Sequence, residues 1–273
     1  MSADPDQLQR LTTELNALTG SHRYDLISNV ATKILAIEPT NYVALADLAA
    51  AQYYKAARVS QSDDDFTAVR ETIERALSVY PNEAYFYFLL YHYYLWYGGA
   101  QYIQARDCLL TAIKLQPTTA IYYRQLGEIY LINREANKAT KYLQEAVRLA
   151  PNEAEYRSRL ALALLRQHKV KESLAMAEQA LHDAPDDMQV LDTVGMVYIL
   201  IGDLEKADRF FRDAIRRDPN YNYFHQHMDW IKRELPDKQR REQQGEKYTP
   251  LYIRQKGSKR FFDEDGPNTV ALE

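Results

Sequence analysis

The chain has 273 residues, 46% of them hydrophobic and 26% charged, with a formal net charge of −4. That balance supports a sizeable core and argues against global disorder. The missing basic excess argues against nucleic acid as the main partner, because phosphate binding needs a cationic footprint. The single cysteine, Cys108, forms no intramolecular disulfide and fits a reducing compartment. The first residues, Met1 to Asp6, are polar and acidic, with no basic and apolar segments of a secretory signal. The apolar stretch 85–97 is too short to span a bilayer, so direct membrane insertion is not expected and a cytoplasmic location is.

Taken in chain order, residues 1–7 read as a tail, and 8–41 as a first helical unit with Leu11, Leu15, Leu18, Ala31 and Ile34 at helical spacing. The unit 42–83 keeps Val69, Ile73 and Ala76 but carries about eight extra residues around Arg58 to Asp65, read as a polar loop. The unit 84–119 opens with a run that is aromatic on every side, from Tyr85 to Tyr97, and turns at Gly98-Gly99. Three units follow at 120–153, 154–187 and 188–221. Their prolines Pro117, Pro151, Pro185 and Pro219 stand 34 residues apart. Proline stops one helix, and the Asn or Asp after Pro81, Pro151, Pro185 and Pro219 is expected to cap the next. A capping helix is predicted over 222–235, ended by Pro236, and 236–273 is expected to be a flexible tail. That tail carries apolar anchors at Tyr248 to Ile253 and at Arg260-Phe261-Phe262.

Aligned on the prolines, small residues recur where two helices must approach closely: Gly127, Ala161 and Gly195, then Ala139, Ser173 and Ala207, then Ala146, Ala180 and Ala214. Larger residues, Leu143 and Phe211, fill between them, with Ala177 in the intervening unit. Leu126-Gly127, Tyr130, Ala139, Leu143, Ala146 and Pro151 form one such series; Val194-Gly195, Tyr198, Ala207, Phe211, Ala214 and Pro219 form another. This resembles the tetratricopeptide-repeat family, in about six repeats. Tyr123 and Leu191 stand where the family often has Trp, and the repeat from 154 departs most among these three, with Ala161, Ser173 and Ala177.

The resemblance implies an all-α fold, a right-handed superhelical solenoid of antiparallel helix pairs. It also implies a concave groove lined by the first helix of each pair. Site residues follow on that basis: Tyr85, Phe88, His92 and Trp96, then Arg124, Glu128, Arg159, Leu162, Arg166 and Asp192. The function implied is a non-enzymatic adaptor, scaffold or chaperone-like module holding a protein or peptide. The aromatic rings would supply apolar pockets, or else only fill a widened core. Arg124, Arg159 and Arg166 would grip carboxylates, since the guanidinium fork bonds them bidentately. The lysine and asparagine clamp with which some family members hold the acidic ends of heat-shock chaperones is incomplete here. A second reading has the tail occupying the groove of its own or a neighbouring chain, which allows a homo-oligomer.

Catalytic and cofactor chemistry find no support in the sequence. His225-Gln226-His227 with Asp229 is the best metal fragment, but residues two apart on a helix point in different directions, so no metal site is expected. No phosphate-cradling glycine loop occurs. Cys108, beside Leu109 and Leu110, reads as a buried, inert thiol.

Overall fold

The repeated small residues and proline stops fold into helix pairs. A computed structural model describes residues 5–60, 63–97 and 101–250. Among these residues the chain is all-α. It divides into two units, Met1–Tyr122 and Tyr123–Glu273.

The first unit holds α1 (Pro5–Leu18), α2 (Tyr24–Ile37), α3 (Tyr42–Lys55), α4 (Asp63–Val79), α5 (Ala84–Tyr97) and α6 (Tyr102–Leu115). The second holds most of α7 (Ala120–Ile132), with α8 (Ala136–Leu149), α9 (Ala154–Arg166), α10 (Val170–Asp183), α11 (Met188–Ile201), α12 (Leu204–Arg217) and α13 (Asn222–Gln243). Odd-numbered helices are the first members of each pair.

Pairs close on a small residue facing a large one. A β-carbon on Gly127 would lie 2.5 Å from Leu143 Cγ, and one on Gly195 would collide with the Phe211 ring. The pair α9–α10 solves the same contact differently. Ala161 and Ala177 are both fully buried, so a larger first residue accompanies a smaller second one, and the Ser173 hydroxyl donates to the Ala161 carbonyl at 2.7 Å. The departures from the family pattern in this repeat therefore compensate one another.

The proline carbonyls at the turns are satisfied by a different donor in almost every pair. Arg75 holds that of Pro39, Tyr87 that of Pro81, Arg157 that of Pro151, Arg217 that of Pro185 and His225 that of Pro219. Tyr87, Arg157 and His225 each lie six residues beyond their proline, so one register position serves three pairs. Leu191 occupies that position after Pro185 and has no donor; Arg217 reaches across from α12 instead.

Three sequence expectations change. The residue directly after each proline does not cap the next helix. Helices begin three residues after the proline, so the cap falls two after it. Asn41 and Asp187 accept backbone N–H groups there, whereas Asp186 sits in the turn and pairs with Arg217. The polar loop near residue 60 is largely helical: a π-helical turn, Ala56–Ser60, extends α3, and α4 begins at Asp63. Residues 61–62 and the expected Gly98-Gly99 turn lie outside the described residues.

Finally, Pro236 does not end the last helix, and the tail does not begin there. α13 runs through it to Gln243. The proline removes one backbone bond, but the following turn is tied down by side chains. Lys238, only 9% exposed, donates to Glu205 of α12 at 2.6 Å and pairs with Glu242 at 3.4 Å. Beyond the helix, Tyr248 is 7% exposed and lies against the α11–α12 turn, where a β-carbon on Gly202 would be 3.1 Å from its ring. The anchors Leu251 to Ile253 and Arg260-Phe261-Phe262 lie outside the described residues.

Candidate binding faces

In the first unit the aromatic helix α5 divides its rings between two tasks. Phe86, Leu89, Tyr91 and Tyr93 are buried and pack the unit, whereas Tyr85, Phe88, His92 and Trp96 stay partly exposed. Phe88 is the hub of the exposed set. Its centroid lies 4.6 Å from His92, 5.8 Å from Tyr91 and 5.2 Å from Tyr122. His92 continues to the buried Tyr53 of α3 at 5.4 Å. Trp96 has a different neighbour: it stacks at 4.5 Å on Phe66 of α4, a fully buried ring. One indole face is thus committed to holding α5 on α4. Buried and partly exposed rings thus occur side by side on one helix.

Burial pushes the Tyr85 hydroxyl up to about 12, with Tyr54, Asp47, Tyr42 and Tyr122 adding smaller upward effects. The Tyr85 hydroxyl therefore stays a protonated donor at neutral pH. Asp47 accepts from the Thr19 hydroxyl at 3.1 Å, and burial raises its pKa more than that bond lowers it.

In the second unit the expected residues are joined by charge. Arg124 of α7 bonds Glu155 of α9. Arg159 of α9 lies 3.4 Å from Glu128 of α7 and 3.9 Å from Glu155. Burial works to lower the Arg159 pKa, but Glu128, Glu155 and Asp192 outweigh it and the value is raised. Asp192 of α11 in turn meets His227 of α13 at 2.9 Å. Arg124, Glu128, Arg159 and Asp192 thus belong to one cross-helix row, in which Arg124 and Arg159 already hold carboxylates of the protein itself. Leu162 is buried, as part of the core. Arg166 is partly buried. Desolvation first, then Arg134, brings its pKa down to about 10.

Sequence reasoning missed Glu155 as a partner for Arg124, and it named His227 only within a metal fragment and not as a partner for Asp192. His227 is 1% exposed and stacks at 4.8 Å on Phe211. A signal for it exists: two 34-residue steps bring Arg159 to position 227, so both occupy the same register. His225 turns away to the Pro219 carbonyl at 2.8 Å. Among the described residues no three His, Cys, Asp or Glu side chains cluster as a metal site. Burial, with Asp107 adding, pushes the Cys108 thiol up to about 12, far from an activated nucleophile. No described helix is long and apolar enough to cross a membrane.

Residues 120–153 and 189–221 match the family model described as tetratricopeptide repeat. Solved structures share the fold at low identity. The pilF protein of Pseudomonas aeruginosa aligns with a TM-score of 0.64 at 15% identity, over 82% of this chain and 98% of that one. TTC0263, a thermophilic TPR protein in Thermus thermophilus, aligns at 0.55 and 24% identity, over 71% and 100%. YrrB, described as a TPR protein with an unusual peptide-binding site, aligns at 0.51 and 19% identity, over 70% and 93%. Residues 120–153 and 189–221 are thus tetratricopeptide repeats with the same glycine-on-large-residue contact in each, and the chain shares the fold of these proteins.

Proposed function

We propose that this protein is a non-enzymatic adaptor that holds a protein or peptide segment on the first-helix faces of its repeats. The observation carrying this reading is the division of labour on α5: Phe86, Leu89, Tyr91 and Tyr93 are spent on packing, while Tyr85, Phe88, His92 and Trp96 keep exposed surface. Aromatic side chains with a polar tip are enriched at binding hot spots, and a solenoid leaves such a face open along its length. The peptide-binding site described for YrrB, which shares the fold, supports the same role. In the second unit Arg124, Glu128, Arg159, Arg166 and Asp192 would give the face its polar specificity rather than raw affinity. A partner carboxylate there must displace a resident one, which costs much of what it gains. The lone buried thiol of Cys108 suits a reducing setting, and the cytoplasm is the location we propose.

Truncating Phe88 to Ala should weaken partner binding by about 2 kcal/mol while circular dichroism stays unchanged. Unchanged affinity in a correctly folded Phe88→Ala protein would refute the first-unit face as the site.

A second reading is favoured by Tyr248, which already lies against the α11–α12 turn of its own unit. The segment beyond it would continue onto the protein itself or a second copy, giving self-inhibition or self-assembly. Removing residues 251–273 should then raise partner affinity or lower the oligomeric mass. Identical mass and affinity with and without that segment would exclude this reading.

A further inference from the structure

The carboxylates on the two first-helix faces are treated differently. In the second unit Glu128, Glu155 and Asp192 each meet an arginine or a histidine. In the first unit Asp47, half-buried on α3, has a neutral donor, the Thr19 hydroxyl, and among the described residues no ion pair. Around it the face is apolar and aromatic. Val43 and Tyr54 of α3, four and seven residues from Asp47, share its helix face and are 42% and 41% exposed, and the Asp47 carboxylate helps raise the pKa of Tyr85 of α5.

Resting on the peptide-binding reading above, we propose that this face receives a lysine or arginine of the bound segment. The cationic head would sit on the Asp47 carboxylate, and its stem and flanking apolar residues on Tyr85, Tyr54 and Phe88.

Three observations carry the choice of a cation. Residues 1–122 contain 13 acidic and 9 basic side chains, whereas 123–273 contain 25 of each, so the whole net charge of −4 belongs to the first unit. A basic segment is steered towards it and an acidic one is repelled. The π-faces of tyrosines attract cations, and the unit already uses this: the Arg58 guanidinium lies 5.9 Å over the Tyr54 ring. A half-desolvated carboxylate without a counter-ion gains most from a charge-assisted bond, the reverse of the second unit, where such bonds are already made.

The test is a selection of random short peptides displayed on phage against the full chain. It is run in parallel on a chain with Arg254, Lys256, Lys259 and Arg260 changed to Ala, so that the protein's own basic segment cannot mask the face. Affinities of the enriched peptides are then measured for the wild type, Asp47→Asn, Asp47→Lys and Tyr85→Ala, with circular dichroism as the check on folding. The expected result is enrichment of Lys or Arg beside aromatic or aliphatic residues. Asp47→Asn should lose at least about ten-fold in affinity, Asp47→Lys more, and a glutamate twin of the peptide should not bind the wild type. Enriched peptides that are acidic or neutral, or that bind Asp47→Asn as well as wild type, would overturn the cation site and leave the adaptor reading standing. Failure to enrich any peptide from either chain would overturn both.

Discussion

Phe211 packs edge-on into the space a side chain on Gly195 would need. A β-carbon there would collide with three of its ring carbons, far inside van der Waals contact. Glycine inside a helix normally costs about 1 kcal/mol relative to alanine, so Gly→Ala usually stabilises. Here the sign reverses. Gly195→Ala should destabilise by about 1–3 kcal/mol, because Phe211 is fully buried and has no free direction in which to retreat. Chemical denaturation of both proteins measures it. In a Phe211→Ala background the same substitution should become neutral or favourable, as the native Ala161–Ala177 contact already illustrates.

His227 and Asp192 test the value of a buried polar pair. The imidazole is enclosed by Phe211 and bonded to Asp192. Asp192→Ala leaves a buried ring nitrogen without its partner and should cost about 1–3 kcal/mol. The double variant Asp192→Ala/His227→Phe should recover part of that loss, since replacing both partners by apolar groups avoids the orphaned atom. Equal stability of the single and double variants would show that the bond carries no such weight.

The extension of α13 beyond Pro236 depends on Lys238. Lys238→Met should speed amide exchange at residues 237–243 by about ten-fold or more while leaving α11 protected. The same anchor has a pH signature. Burial opposes both charges, yet each outlasts it through the other: the bond from Lys238 holds the Glu205 pKa below its ordinary 4.5, and Glu205 holds that of Lys238 above its ordinary 10.5. A depressed carboxylate stabilises above its unfolded pKa and stops doing so as pH falls through the folded one. A raised ammonium stabilises below its unfolded pKa and stops as pH rises through the folded one. Protection of residues 237–243 should therefore be flat between those limits and fall on either side. Because Glu205 is 41% exposed, the effect is expected to stay within about 1 kcal/mol.

Cys108 should resist alkylation. With its thiol pushed up to about 12 by burial, the nucleophilic thiolate is scarce at pH 8, and iodoacetamide should modify the native protein far more slowly than the denatured one. Mass spectrometry before and after denaturation reads this directly. Equal rates would mean the thiol is open to solvent.

The sequence by itself determined the helix pair and its repetition. Proline stops, small residues at a fixed offset and aliphatic spacing are local properties, and each of the last three pairs states them again every 34 residues. Even the imperfect repeat from 154 could be placed, because its prolines keep the interval. Tertiary structure alone decided which side chains stay available. Arg124 and Arg159 looked like grips for a guest, but the carboxylates that occupy them arrive from neighbouring first helices about thirty residues away. Trp96 looked like a twin of Phe88, but the longer second pair brings Phe66 under its indole. Pro236 looked like a stop, but Glu205 on another helix holds the turn beyond it through Lys238. In each case the deciding partner is distant in the chain, and a periodic pattern records where a side chain points without recording what it meets.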